Sequence, residues 1–297
     1  MRKQSPNPPW RHHYLPEFIL NSWRNLDGQI LRYTKVHQNR IVKKWVFPSE
    51  TGFQRELYNL PGVSDPWDAA ALEHSFFSPL DHAAALSHKS LVENGSANTS
   101  ELRSGWATFL SSLFLRTPYD LDATVSEFDR IVSEDPDGIE TEYQKLRNDD
   151  DPPTLVGWIK AKDPNFKRKT TLIQLQKIIL DFDRNSYFVR IPWLVLDVSN
   201  ANYPLLISDG PLMFTPMKLE NGHIALPISP TKLFVASEHS HFLKSLESND
   251  QNQIVRQVNS VVCGSAREFV CSSDDRQDRY VRNRFGKLER GTLGVRD

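Results

Sequence analysis

The sequence predicts an α+β fold: a small mixed sheet made of an N-terminal hairpin plus late strands, a large mostly helical insertion, and a C-terminal helix. Three observations carry this. Strand-forming residues cluster on either side of a turn between Asp27 and Val46, apolar spacing turns helical near Asp65, and short β-like runs return near Tyr187.

In chain order, Phe18, Ile19, Leu20 and Trp23 suit one face of a helix entered at Pro16. Asp27-Gly28 is a turn, and Ile30, Tyr33, Ile41, Val42, Trp45 and Val46 are strand formers around the tip His37-Gln38-Asn39. Asp65-Pro66 and Ser78-Pro79 each set a capping side chain before a proline suited to the first helical position. Leu72 and Phe76 mark one helix, and Leu80, Ala84 and Leu91 the next. Thr99 or Ser100 caps a third, with Leu102, Trp106, Phe109, Leu110 and Leu113 on one stripe. Val125, Phe128, Ile131 and Val132 give a fourth, and Leu172, Leu175, Ile179 and Phe182 a stronger one. Strands are predicted over 187–191, 193–198, 203–207, 224–228 and 233–236, then a helix from about Gln251 to Val270. Residues 1–10 read as a flexible basic arm. Residues 11–272 read as a single α+β domain with a helical subdomain over about 65–182, and 273–297 as a charged, frayed tail.

Composition removes several function classes. Of 297 residues, 39% are hydrophobic and 25% charged, enough for a packed core and against wholesale disorder. No apolar run approaches the ~18 residues of a membrane span, so no membrane partner is expected. Glycine is scarce at 13 against 19 prolines, which disfavours glycine-rich phosphate cradles. There is no Walker loop, Gly-x-Ser-x-Gly elbow, His-Glu-x-x-His or dinucleotide fingerprint, hence no nucleotide or flavin motif. The two cysteines, Cys263 and Cys271, would lie roughly 12 Å apart on a helix, too far for a disulfide. With no charged-then-apolar leader at Met1-Arg2-Lys3, the expectation is a reduced, cytoplasmic protein.

The net charge of -1 conceals an uneven distribution. Residues 1–47 hold nine Lys or Arg against Glu17 and Asp27, while 118–151 hold twelve acids against Arg130, Lys145 and Arg147. One reading is an ordinary mixed surface. The other is a basic N-terminal face that meets nucleic acid or another polyanion.

Three local features nominate a site. His12-His13 sets two imidazoles on opposite sides of an extended segment, so one could face a pocket as general base or metal ligand. Both could equally be packed at the entry to a helix. Ser208-Asp209-Gly210-Pro211 follows an apolar strand, where an acid is presented at a sheet edge or simply caps a turn. Arg116, before Thr117-Pro118, is an anion contact or a cation answering a helix dipole. His74, His82 and His88 lack metal-ligand spacing, and no role is assigned to them.

His12-His13-Tyr14-Leu15-Pro16-Glu17-Phe18-Ile19-Leu20 resembles the opening His-His-Tyr-x-Pro-x-Phe-x-Leu of domain-of-unknown-function family 4238. Phe114–Pro118, Ile207–Pro211, Leu226–Pro230 and Asn259 with Ala266 and Arg267 are similar to further motifs of that family. The resemblance spans about residues 11–272, and Gly210 stands where the family usually has Asn. It implies no activity; it implies that the histidine pair and the Ser-Asp-x-Pro loop occur together.

Two functional readings follow. In the first the chain is a hydrolase acting on a phosphodiester or other polyanion, with His12, His13 and Asp209 as catalytic residues and Arg116 and Ser208 as binding residues. The cofactor is unknown, and a divalent metal is compatible with the site. In the second it is a non-enzymatic interaction or structural protein in which the same residues stabilise the fold. The expectation is that His12 or His13 and Asp209 converge on one cleft with Arg116 at its rim; histidines far from Asp209, or buried without a cleft, favour the second reading.

Overall fold

A computed structural model describes residues 8–36, 39–134 and 138–287 of the chain. The expectations for residues 1–7, for most of the hairpin tip and for 288–297 lie outside the described residues. In chain order the elements are β1 (Arg11–His13), α1 (Glu17–Leu20), β2 (Ile30–Val36), β3 (Arg40–Val46), β4 (Phe53–Arg55), α2 (Pro66–Ala69), α3 (Ser78–Asn94), α4 (Ser100–Leu113), α5 (Pro118–Glu134), α6 (Ile139–Leu146), α7 (Leu155–Lys162), α8 (Phe166–Ile179) and α9 (Phe182–Arg190). There follow β5 (Trp193–Asp197), β6 (Ile207–Ser208), β7 (Met213–Thr215), β8 (His223–Ser229), β9 (Lys232–Ala236), α10 (Ser240–Ser248), α11 (Gln251–Ser265), β10 (Phe269–Ser272) and α12 (Asp278–Arg284). The fold is α+β. Among the described residues no helix is long and apolar enough to cross a membrane.

Capping chemistry sets the helix starts. Asp65 accepts from the backbone N–H groups of Trp67 and Asp68, with Pro66 at the first helical position. Thr99 accepts from Leu102, Thr154 from Gly157, Asp181 from Arg184 and Asp250 from Asn252. Each side-chain oxygen satisfies an N–H that the first helical turn leaves without a partner. Ser78-Pro79, in contrast, starts nothing: Ser78 is helical (φ -62, ψ -45), and a π turn over Glu73–Phe77 runs straight into α3.

The chain divides into two compact units. One comprises the chain up to His12, Gln54–Pro79 and Pro118–Leu180. Within it, Leu172, Leu175 and Ile179 of α8 are buried at helical spacing, Arg168 donates to the Leu57 carbonyl, and Tyr58 stacks on Phe77. The other unit comprises His13–Phe53, Leu80–Thr117 and the chain from Asp181. It carries two four-stranded sheets, ordered β3-β2-β10-β6 and β5-β9-β8-β7, whose pairings are antiparallel. The expected single mixed sheet is thus two antiparallel ones: the hairpin joins only β10 and β6, and the remaining late strands pair among themselves. The helical subdomain over 65–182 is also divided, because α4 belongs with the sheets; its Trp106 meets Phe234 of β9 edge-on at 5.6 Å.

Three further expectations are corrected. Residues 187–190 are the end of helix α9 and not a strand, and Arg103 donates to the carbonyls of Val189 and of Ile191 just past the helix. The last long helix stops at Ser265 rather than Val270, because Phe269–Ser272 pairs antiparallel with Leu31–Thr34 of β2. The segment after residue 273 is not frayed as far as Arg284: it folds as α12, and Val281 and Phe285, just past its end, are buried in the core cluster that also holds Val258 and Val262 of α11 and Leu31 and Tyr33 of β2. Two apolar residues four apart sufficed for one face, a pattern too short to stand out among the charges.

Because Phe285 is 2% exposed in that core, Phe285→Ala is expected to cost about 3–5 kcal/mol. Urea denaturation followed by tryptophan fluorescence checks this; an unchanged midpoint would mean that α12 contributes nothing to the core.

Candidate functional site

His12 lies in β1 and is fully buried. Its Nε2 is 3.1 Å from the Pro9 carbonyl and its Nδ1 accepts from the Tyr58 backbone N–H at 3.0 Å. Those two partners require a neutral ring with the proton on Nε2. The ring also stacks on Tyr58, with centroids 5.7 Å apart. Burial lowers its pKa below the ordinary 6.5, opposed by the Pro9 carbonyl and the charge of Glu56.

His13 contributes through its backbone. Its carbonyl accepts from Arg116 Nη2 at 2.8 Å, while its ring lies 3.5 Å from a Glu17 carboxylate oxygen and tilts against Phe53. Arg116 follows the end of α4 and has no exposure. Its two Nη groups bind both oxygens of Asp81, at 2.7 and 3.0 Å, a two-pronged pair that answers the buried charge. Just beyond, the Tyr14 and Leu15 N–H groups both donate to the Gly52 carbonyl. Gly52 has φ +72, and a Cβ there would stand 2.7 Å from the Leu15 carbonyl oxygen, so the motif requires glycine opposite it.

Asp209 follows β6 and is 5% exposed. Its carboxylate accepts from the backbone N–H groups of Arg267 and Glu268 at 3.0–3.1 Å, and its own N–H donates to the Phe269 carbonyl. Ser208 is buried, and its hydroxyl accepts from the Gly210 N–H at 3.4 Å. Glu268 in turn accepts from the Tyr14 hydroxyl at 2.6 Å. Arg116, the His13 carbonyl, Tyr14, Glu268 and Asp209 therefore lie along one continuous run of hydrogen bonds and chain. The structure links three of the nominated positions, but through backbone groups, and the His13 ring is not among the linking atoms. His12 belongs to the other compact unit. None of the nominated residues lines the cleft of about 530 Å³ formed by α11 and α12. Among the described residues no three His, Cys, Asp or Glu side chains gather as a metal-ligand set.

Part of the N-terminal charge is bound into the fold. Lys43 pairs with Asp275 and Asp278, Arg32 donates to the Glu50 carbonyl, and Lys35 lies over the Phe285 ring. Cys263 and Cys271 are free and buried; burial pushes the Cys263 thiol up to about 12 and raises that of Cys271 as well, so neither is a ready nucleophile.

Sequence reasoning missed three participants. Asp81 carries no motif, but a buried arginine demands an acid, and that demand was the available signal. His88 is buried, its Nε2 2.7 Å from the Ile228 carbonyl and its ring edge-on to Phe18. Tyr14, which its neighbours place at the entry to a helix, is the partner of Glu268, 254 positions away.

Residues 11–276 match the family described as a protein of unknown function, DUF4238. The chain belongs to that family. No curated protein and no solved structure matches it. The family match ends just before α12.

Two predictions follow from these bonds. Asp81→Ala leaves the buried guanidinium without its carboxylate and is expected to cost about 3–5 kcal/mol in urea denaturation, against about 1–3 kcal/mol for Asp209→Asn. Burial also lowers the pKa of His88, opposed by the Ile228 carbonyl. With both imidazoles lower in the folded chain, the unfolded chain takes up protons first as pH falls through the ordinary value of 6.5. Stability should decline from pH 7 towards pH 5, and His12→Asn and His88→Asn should each flatten that slope; identical slopes in all three proteins would contradict the assignment.

Proposed function

We propose that this protein is a non-enzymatic binding protein in which the family's recurring polar residues hold the backbone in place. The observation that carries this reading is that His12 and Asp209, the residues best suited to acid–base work, direct their polar atoms at backbone groups. A general base has to reach a substrate proton with its lone pair. The Nδ1 lone pair of His12 is held by the Tyr58 N–H, and the Asp209 carboxylate orders the turn into β10. Arg116 spends its charge on Asp81 and a carbonyl. The competing reading, a hydrolase of phosphodiesters or other polyanions, would need these groups turned towards a substrate.

A nuclease and phosphodiesterase panel, with and without Mg²⁺, Mn²⁺ or Zn²⁺, on wild type and the His12→Ala/His13→Ala double variant tests this. No turnover is expected in either protein. Metal-dependent turnover in the wild type that disappears in a double variant with unchanged thermal midpoint would establish the hydrolase instead.

A further inference from the structure

The cleft between α11 and α12 is unlike the motif network. Its walls carry Arg256, Arg276, Arg279 and Arg284 with Tyr203 and Tyr280, and no Asp or Glu lines it. Arg276 is answered by Asp274 and donates to the Asn202 carbonyl, and Arg284 lies over the Tyr280 ring at 4.8 Å. Arg256 and Arg279 are exposed and, among the described residues, have no carboxylate partner. Positive charge left uncompensated in a concave site focuses its field on anions. Guanidinium groups recognise phosphate oxygens with paired donors.

The base of the cleft is tied together by buried hydrogen bonds. Asn259 is 1% exposed; its amide donates to the Pro204 carbonyl and to Gln277, and its oxygen accepts from the Leu206 N–H. Gln277 donates to the same Pro204 carbonyl. One buried amide pair thus fixes the loop carrying Asn202 and Tyr203 against the start of α12. Tyr203 is half exposed and offers a ring face, and Asn202, Asn252 and Asn283 bring amide edges able to donate and accept. At about 530 Å³ the cleft is the size of a small-molecule site rather than of a macromolecular groove.

We infer that this cleft binds a small phosphorylated molecule of the nucleotide class, its phosphates on Arg256 and Arg279 and its ring against Tyr203. The inference rests on the reading of the chain as a binding protein and names its ligand class. Tyr203 and Arg256 lie within the stretch that matches the family, whereas α12, which supplies Arg279, Tyr280 and Arg284, lies past the end of the match.

Isothermal titration of the full chain with ADP, UDP, inorganic pyrophosphate and adenosine tests it. At least one nucleotide should bind, more weakly at raised salt. Arg256→Glu and Arg279→Glu should each weaken it by about tenfold or more without moving the thermal midpoint, since both side chains are exposed. Tyr203→Ala should weaken the nucleotide while leaving pyrophosphate unchanged. Absence of binding by both nucleotides and pyrophosphate at millimolar concentration overturns the assignment, as does binding indifferent to the arginine variants. Binding of a single-stranded oligonucleotide without either nucleotide would replace the small ligand with a nucleic acid. The two readings fail separately. Turnover of a bound nucleotide would refute the non-enzymatic reading and leave the cleft standing, whereas an empty cleft with a silent hydrolase panel would do the reverse.

Discussion

A guanidinium with no exposure to water dictates what surrounds it. Arg116 has surrendered its hydration, and isolated burial of that charge would cost more than a small domain's net stability. Its surroundings must therefore return what water supplied. Asp81 does so with both oxygens, and the His13 carbonyl takes a further N–H. The end of α4, the first turns of α3 and the end of β1 are consequently fixed by one side chain. The polar signature at the start of the chain owes its placement to this as much as to its own imidazoles.

Asp209 works on the same principle with opposite charge. Two adjacent backbone N–H groups converge on its carboxylate where the chain leaves α11 and enters β10. The turn residues keep the helix from continuing and deliver Phe269 to its place beside β2. Ion and backbone are bound to each other in both places, which is why the polar residues that stand out most in the sequence are among the most buried in the structure. The α11–α12 cleft shows the contrary distribution, with its buried amides satisfied and its charges turned outward.

Local chemistry was legible in the sequence to the extent that it acts locally. Asp65 before Pro66 and Thr99 before its helix are caps because an oxygen three residues from an N–H needs no distant partner. The helical stripe of α4 and the strands β8 and β9 were likewise readable, since burial repeats along them. Ser78-Pro79 has the same local pattern as Asp65-Pro66 but starts no helix, because a π turn already supplies the preceding helical register. α9 and β10 were decided by partners far along the chain, Arg103 for one and β2 for the other. At the candidate site, His12, His13, Ser208, Asp209 and Arg116 stood out by type and spacing. Spacing, however, carries no information on where a lone pair points, and Tyr58, Asp81 and Glu268 determine that.

β10 sits between β2 and β6, not at an edge. Its partner β2 emerges from the ribosome on the order of 240 residues earlier, and Tyr14 waits still longer for Glu268, 254 positions away. During synthesis the N-terminal hairpin is a two-stranded ribbon with an open hydrogen-bonding edge, too small to be stable by itself. The first sheet can close only after β10, the last strand among the described residues, has been made. Until β10 arrives the inner edge of the hairpin has no strand beside it, so association of that edge with another chain competes with closure of the sheet.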